Sequence, residues 1–257
     1  MEINKFKKEK DKYKIYLDNG NIIETYEDVI LQNNLLLKKE ITKEQLEKII
    51  IKTEYSKIYH KIQNLIGIKY RSEKWVKDYF KKNTDLPNEK IEEMINSLKT
   101  NNFINDERYA RAYIHDKINL TLDGPYKVIN ELKKENIDAA DIVLELYTND
   151  ILEERIIKII NKKCKENKKY MGYVLEKRIS DYLKNMGYST ENINEYKHLI
   201  TANNNIIEKE FEKAYKKYSK KLKDENLKIK IKQVLYTYGI NSEEIEDMLN
   251  KKTLEEN

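Results

Sequence analysis

Residues 105–137 read NDERYARAYIHDKINLTLDGPYKVINELKKENI, and this stretch decides the fold because it contains two helices and the corner between them. Asn105 is suited to cap the first helix by accepting a hydrogen bond from a backbone N–H of its first turn. Asp106 and Glu107 then place negative charge at the positive end of the helix dipole. Apolar side chains recur at helical spacing, which predicts one buried face. They are Tyr109, Ala112, Tyr113 and Ile118.

The corner at residues 122–125, Leu-Asp-Gly-Pro, ends the first helix and begins the second. Its proline fits the first turn of a helix, where the missing N–H costs nothing. The second helix offers Val128, Ile129 and Leu132 to a core, and it leaves Lys127 to solvent or a partner. The stretch therefore predicts two amphipathic helices joined by a tight corner.

The same pattern, a helix ending in Leu or Phe, a short corner and a capped helix, recurs along the chain at a constant period. The final apolar residues of these helices are 52, 51 and 52 positions apart, and they are Phe80, Leu132, Leu183 and Leu235. A period of this length, with room for three helices, indicates tandem repeats in which each unit packs mainly on its neighbours. We therefore expect an elongated, curved array with a broad exposed face.

The residue that follows each of these helices should adopt a left-handed conformation. Gly187 and Gly239 hold this position in two units, and Asn136 holds it in another, because glycine and asparagine tolerate positive φ. A residue suited to cap the next helix comes two positions later in each unit. These cap candidates are Asp138, Ser189 and Asn241.

The beginning of the chain differs from the rest. Polarity alternates over residues 3–8 and 13–17, which predicts two strands. Asn19 and Gly20 give a two-residue turn signal, and the apolar residues from 22 to 26 predict a further strand. The N-terminal segment should therefore be a small β-hairpin or meander.

Helices follow this segment, the first over about residues 26–33. Thr42 and Gln45 predict a capping box for a helix that runs from Lys43 towards Lys52. The fold class is therefore mainly all-α, with a small N-terminal β segment. The predicted divisions are 1–53 for that segment with its helix, and 54–104, 105–149, 150–202 and 203–257 for four three-helix repeats, the last with a tail.

Composition agrees with solvated helices rather than a sheet-rich globule. Charged residues make up 37% of the 257 residues, and there are only six glycines and two prolines. The net charge is +5, and the acidic second repeat lies between two basic ones, which suits a protein partner of mixed charge or a nucleoprotein. Cys164 is the one cysteine, so we expect a reducing cytoplasm, and no apolar run approaches the roughly 18 residues that a membrane span needs.

Residue patterns for catalysis are lacking in the sequence. His60, His115 and His198 fall in different units without neighbouring ligands at metal-binding spacing, and Cys164 has no base partner. The glycines are isolated, so no phosphate-binding loop is present. We therefore expect a protein that is not an enzyme and that uses no cofactor and no metal.

Basic helices are the better candidates for function. Lys158, Lys162, Lys165 and Lys169 recur at i, i+4, i+7 and i+11, which predicts one stripe able to follow phosphates. The alternative is a solvated face in a lysine-rich chain, and the sequence leaves both open. A second lysine run with interleaved tyrosines spans residues 213–223.

Arginine is scarce, so Arg71, Arg108 and Arg111 stand out as candidate partner-binding residues with planar, bidentate donors. The alternative is a structural ion pair with a neighbouring unit's carboxylate. The chain also has twenty tyrosines, and helical spacing predicts that those such as Tyr109, Tyr113 and Tyr182 pack in the core rather than stack on bases.

Three stretches carry a family resemblance. FINDERYARAYI at 103–114, followed by GPYKVINELKKENI at 124–137, resembles the central repeat of the RecX family, the regulators of the bacterial recombinase RecA. YRSEKWVKDYF at 70–80 is similar to a helix of the family's preceding repeat, with Trp75 where the family usually has leucine. The likeness is strongest over residues 56–138.

The resemblance implies a monomeric, cytoplasmic regulator that binds the RecA filament on single-stranded DNA and limits its extension, ATPase and strand exchange. Single- or double-stranded DNA is a further candidate partner. The alternative is a helical module that binds nucleic acid without RecA. The candidate contact residues are Arg71, Arg108, Arg111, Lys127, Lys158, Lys162, Lys165 and Lys169.

Overall fold

The computed structural model describes residues 1–203 and 205–256, with side chains described as far as Lys252. This part of the chain contains three strands and thirteen α-helices. The strands are β1 (Ile3–Glu9), β2 (Lys12–Leu17) and β3 (Ile22–Tyr26). The helices are α1 (Glu27–Gln32), α2 (Lys43–Ile68), α3 (Glu73–Asn83), α4 (Asn88–Thr100), α5 (Asp106–Leu120), α6 (Pro125–Lys134), α7 (Ala140–Leu146), α8 (Asn149–Glu166), α9 (Gly172–Asn185), α10 (Thr190–Tyr196), α11 (Asn205–Tyr218), α12 (Asp224–Tyr236) and α13 (Ser242–Glu256). Short 3-10 helices lie at Leu35–Leu37 and Lys197–Leu199.

The chain forms two compact units, one of Met1–Tyr109 and a second that begins at Ala110. The first unit opens with an antiparallel sheet in the order β1-β2-β3, which confirms the predicted meander. Ile15 and Leu17 of β2 are buried against helix α1 and the start of α2, as their alternation predicts. Gly20 has a φ of +81°, as the turn between β2 and β3 requires.

The capping box at the start of α2 is confirmed. The backbone N–H of Gln45 donates to the Thr42 hydroxyl at 3.1 Å, and the Gln45 side chain accepts from the Thr42 N–H at 3.1 Å. The helix continues for 26 residues as far as Ile68. The predicted division between residues 53 and 54 therefore lies inside one continuous helix, and the first repeat uses its second half.

The helical part is organised in threes, which confirms a mainly all-α architecture with three helices per repeat. The sets are the second half of α2 with α3 and α4, then α5 to α7, α8 to α10, and α11 to α13. Each set buries apolar side chains of its own helices; in the first, Ile62, Phe80 and Ile95 share one core. The exact divisions between repeats, and the elongation of the array, stay predictions.

The core face of α5 differs from the prediction. Ala110 and Ile114 are its buried residues, whereas Tyr109, Tyr113 and the other predicted positions are only half-buried. The tyrosines flank the buried line because their hydroxyl groups need polar partners. The Tyr113 hydroxyl, for example, donates to Glu131 at 2.7 Å. The buried face of α5 therefore lies one residue later in the chain than the apolar spacing predicts.

Besides Thr42, three of the four other predicted helix caps are confirmed. Asn105, Ser189 and Asn241 each accept a hydrogen bond from the backbone N–H three residues later, at 2.9, 3.1 and 2.8 Å. Asp138 is wrong as a cap, because α7 begins at Ala140 and is preceded by Ala139 without a side-chain cap. The corner before α7 is one residue longer than the corner before α10, which shifts the cap position past Asp138.

The middle helices of successive repeats meet end to end. At one joint the Gly124 N–H donates to the Met186 carbonyl at 2.6 Å, so the start of α6 receives the end of α9. At the next joint the Met171 N–H donates to the Tyr238 carbonyl at 2.7 Å, so the start of α9 receives the end of α12. Each bond satisfies one N–H and one carbonyl that helix ends leave without partners, and it places opposite dipole ends together.

Glycine is required at these joints for two reasons. Gly187 and Gly239 have φ values of +91° and +87°, in the left-handed region that the helix ends predict. A Cβ on Gly187 would also overlap Lys127, and one on Gly239 would overlap the Met171 carbonyl. Asn136 has a φ of +61°, which confirms that asparagine takes the same conformation in the second repeat.

Replacing either joint glycine should destabilise the protein. We expect Gly187→Ala and Gly239→Ala to lower the free energy of unfolding by about 2 kcal/mol or more, because each adds backbone strain and a steric overlap. Such a loss corresponds to a fall in Tm of about 4–8 °C, measurable by circular dichroism.

Gly67→Ala is the matched control for this prediction. Gly67 is the penultimate residue of α2, and beyond its chain neighbours and the nearby backbone of that helix no heavy atom lies within 4 Å of the position of an added Cβ. Alanine should there raise stability by about 0.5–1 kcal/mol, because glycine is a poor helix former. Equal effects of the three substitutions would contradict the steric account of the joints.

Candidate partner-binding surface

Helix α8 presents a basic face opposite a buried face. Its buried side chains include Ile156, Ile159 and Ile160, which recur at helical spacing and hold the helix in the repeat core. Lys158, Lys162 and Lys165 are exposed on the outer side. The three lysines therefore form a stripe at i, i+4 and i+7, as the sequence predicts, and we call it the α8 stripe.

The positive charge of the α8 stripe is only weakly neutralised. Lys162 lies 4.0 Å from the Glu166 carboxylate, which is 3.1 Å from Lys163. Among the residues that the structure describes, Lys158 and Lys165 take part in no ion pair. Two of the three ammonium groups therefore remain available to an external anion.

Lys169 does not belong to this stripe, contrary to the prediction. Helix α8 ends at Glu166, so the chain has left the helix before Lys169 and the i+11 spacing no longer applies. The Lys169 ammonium instead lies over the Tyr238 ring, 4.2 Å from its centroid. Because α8 ends about one turn earlier than predicted, Lys169 lies in the corner between α8 and α9.

Lys127 is held in an ionic cluster at the corner between α5 and α6. Its ammonium lies 2.6 Å from the Asp123 carboxylate, which also receives Lys117 at 3.0 Å. Lys117 makes a second ion pair with Glu131 at 2.8 Å. Since the Asp123 side chain is only 9% exposed, the cluster is mostly shielded from water. Lys127 therefore stabilises the corner rather than standing free.

The corner cluster shifts the pKa values of its members. Burial acts to raise the pKa of the Asp123 carboxyl, but hydrogen bonds from Lys127 and Lys117 outweigh it, so the pKa is lowered. For Lys117, burial acts to lower the pKa, but Glu131 and Asp123 outweigh it and the pKa is raised. Burial, with the hydrogen bond to Glu131, raises the pKa of Tyr113 to about 12.

Arg155 has a structural role that the sequence did not reveal. This buried residue of α8 reaches back to the end of α5, where its guanidinium donates to the carbonyls of Ile118 at 2.5 Å and Lys117 at 3.3 Å, and to that of Thr121. The Lys117 carbonyl also accepts from the backbone N–H and the hydroxyl of Thr121, so Arg155 adds a donor at a helix end, where the last carbonyls lack the usual helical partners. Its position between Leu152 and Ile159 on the apolar face of α8 was the one available signal.

The three candidate arginines are held in different ways. Arg71 lies over the Trp75 ring at 4.3 Å, and Arg108 lies over the Tyr70 ring at 5.1 Å. Both guanidinium groups thus lie against aromatic rings. Neither forms an ion pair with a carboxylate among the described residues, unlike the structural alternative that the sequence left open. Arg111 lies 3.8 Å from Glu145, an ion pair within the same repeat. The structure thus does not bring the three arginines together into one site.

The part of the chain that the structure describes has neither a metal-binding cluster nor a membrane-spanning helix. Its His, Cys, Asp and Glu residues form no group of three or more that could hold a metal ion. Its helices include none with the length and apolar character to cross a membrane. The exposed lysines of the α8 stripe, two of which have no ion pair among the described residues, are the candidate functional site.

Comparisons with known proteins decide the family. The family model described as "RecX, second three-helix domain" matches residues 105–143, which cover α5, α6 and part of α7. The chain is 30% identical over 263 residues to the regulatory protein RecX of Streptococcus pneumoniae, covering 98% of this chain and 99% of the relative. The chain belongs to the RecX family. A second RecX relative, from Streptococcus uberis, is 29% identical over 262 residues, with 98% and 99% coverage.

Solved RecX structures agree with this assignment. A crystal structure of regulatory protein RecX superposes with a TM-score of 0.65 at 25% identity, covering 74% of this chain and 96% of that chain. RecX from Lactobacillus salivarius gives a TM-score of 0.50 at 26% identity, covering 57% and 96%. The RecX resemblance and the fold class predicted from the sequence are both confirmed.

The corner cluster should make stability depend on pH. Because the folded pKa of Asp123 lies below its ordinary value of 3.8, its carboxylate stabilises the fold above that value and loses this effect as the pH falls. We expect Asp123→Asn to cost about 2 kcal/mol at pH 7, the scale of hydrogen bonds to charged groups. The variant should also lose less stability than the native protein between about pH 5 and pH 2.

Urea unfolding followed by circular dichroism across this pH range measures both effects. Asp116→Asn is the matched control, because Asp116 is an exposed carboxylate on α5 outside the cluster. Its pH profile should follow that of the native protein. If Asp123→Asn gave the native profile as well, the cluster would not contribute to the acid sensitivity.

Proposed function

We propose that this RecX-family protein binds the RecA recombinase and its filament on single-stranded DNA, and inhibits filament extension, ATPase and strand exchange. Its curated relatives are named regulatory proteins, which supports a regulatory role. We propose that it acts as a cytoplasmic monomer and not as an enzyme. Inhibition would then come from occupying filament surface that the next RecA subunit or the DNA partner needs.

The observation that carries this proposal is the exposed α8 stripe on one member of a series of three-helix repeats. A repeat presents a similar outer face at each step, so several modest contacts can act together on a partner that is itself repetitive. Two unpaired lysines of the stripe supply charge for phosphates or for an acidic protein surface. Long-range attraction of this kind also raises the rate of association.

The second candidate function is nucleic-acid binding without RecA. The same unpaired lysines favour it, because direct contact with phosphates needs no protein partner. The two functions differ in what they require. Direct binding should weaken steeply with salt and persist without the recombinase, whereas filament binding should require RecA.

Co-sedimentation with RecA filaments, together with an ATPase assay, tests the proposal directly. RecA assembled on single-stranded DNA should carry the protein into the pellet, and RecA's rate of ATP hydrolysis should fall as the protein is added. An unchanged ATPase rate with no pelleting would reject the assignment of RecA as the partner.

Reversing the charge of the α8 stripe should weaken filament binding. We expect the variant with Lys158→Glu, Lys162→Glu and Lys165→Glu to pellet with at least about tenfold lower affinity, because three attractive contacts become repulsive. Its Tm should change little, since exposed substitutions usually alter stability by less than about 0.5 kcal/mol each.

A control with the same change in net charge separates local contact from overall charge. Lys43, Lys48 and Lys81 are exposed lysines of the first unit, and reversing all three gives that control. It should retain more affinity than the stripe variant. Equal filament binding by the stripe variant and the native protein would assign the α8 stripe to solvent.

A further inference from the structure

A basic groove lies at the corner between α8 and α9, beyond the end of the α8 stripe. It has a volume of about 550 Å³ and is broadly open to solvent. The side chains that give it its chemistry are Lys163, Lys168, Lys169, Tyr170, Arg178 and Tyr182. None of the sequence patterns joined these residues, because they come from a helix end, a loop and the outer face of the next helix.

The groove carries positive charge without matching carboxylates. Lys168, Lys169 and Arg178 take part in no ion pair within the described residues, 1–203 and 205–256. Of the two carboxylates that line it, Glu166 is already paired with Lys163 at 3.1 Å. The second, Asp181, is the one acid left to oppose three unpaired cations. The groove is therefore suited to an anion.

Aromatic rings position three cations of the groove, of which only Lys163 is also paired with a carboxylate. Arg178 lies over the Tyr170 ring at 4.2 Å, and Lys163 lies over the Tyr182 ring at 4.4 Å. Lys169, as described above, lies over a third ring. A ring face orients a cation without cancelling its charge as a carboxylate would. Lys169 and Arg178 are thus positioned without an ion pair among the described residues and remain able to bind phosphate oxygens.

Two further features make the groove a defined surface. The loop between α8 and α9 is fixed by Asn167, whose side chain donates to the Tyr170 carbonyl at 2.7 Å and accepts from the Tyr170 N–H at 3.0 Å. Tyr182 is 38% exposed, so it is not the core residue that its helical spacing predicts. Tyr182 therefore lines the groove as a partly exposed aromatic side chain.

We propose that this groove binds the phosphodiester backbone of single-stranded nucleic acid, with a base packed against Tyr182. Cations beside accessible aromatic rings are the combination that single strands require, because the backbone needs charge and the unpaired bases need a flat apolar partner. The planar Arg178 guanidinium suits bidentate contact with phosphate. An acidic protein segment could pair with the cations of the groove, but its carboxylates would make no contact that requires the Tyr182 ring. The inference rests on the proposed function in one respect, namely that the single strand is the DNA on which the RecA filament assembles.

Fluorescence anisotropy with a labelled oligothymidine of about 20 nucleotides, in the absence of recombinase, tests the groove. The native protein should bind, and the variant with Lys168→Gln, Lys169→Gln and Arg178→Gln should bind about 10- to 100-fold more weakly at about 0.1 M salt. The salt slope of the affinity should fall by about 2, since each single-strand contact contributes about 0.7. The control variant with Lys43→Gln, Lys48→Gln and Lys81→Gln loses the same charge and should bind nearly as the native protein does.

Tyr182→Leu probes the aromatic part of the groove. It should weaken binding of the single strand about fivefold or more while leaving the weaker binding of a duplex unchanged, because paired bases cannot reach the ring. Thermal melts of all variants confirm that each one is folded. Equal losses for single strand and duplex would remove the role given to this ring.

The possible results separate this inference from the proposed function. No oligonucleotide binding by the native protein, or equal losses in the groove and control variants, would overturn the inference. Weaker pelleting with RecA filaments but unchanged oligonucleotide binding by the groove variant would also overturn it, and would make the groove a protein contact. Oligonucleotide binding without any RecA pelleting would sustain the inference while the proposed function failed.

Discussion

The structure from α5 onward depends on hydrogen bonds between the end of one middle helix and the start of another. At each joint a backbone N–H meets a carbonyl of the following repeat, so two polar groups that would otherwise lack partners satisfy one another. Gly187 and Gly239 make this possible, because only a residue without a Cβ allows the two backbones to approach so closely. Side-chain packing then has a fixed backbone frame on which to act.

Positive charge serves two purposes in this protein. Arg155, Lys117 and Lys127 are used within the fold, where they bind helix-end carbonyls or the Asp123 carboxylate. Other cations, such as Lys158 and Lys165, are exposed and without ion pairs among the described residues. A lysine count cannot separate these groups, and the distinction matters for a RecX-family regulator because only the second group can meet a partner.

The sequence predicted features that depend on near neighbours in the chain. The Thr42 capping box and the left-handed residues after the middle helices are local patterns, and both were found. The period of about 51 residues was found as well, because the same local signals recur in each repeat. The errors arose where a distant contact or a helix end decided the outcome. Lys169 left its predicted stripe because α8 stops early, and Arg155 could not be recognised without the end of α5 beside it.

The contacts of Arg155 show that a repeat defined by sequence does not contain all the groups that complete its own helices. The segment that matches the family model, residues 105–143, ends before the arginine that covers the carbonyls at the end of α5. The Tyr188 hydroxyl, from the third repeat, likewise donates to the Leu122 carbonyl in the second. A repeat excised at its sequence borders would therefore lose hydrogen-bond donors that the following repeat provides. The carbonyls that end its helices would then lack those partners.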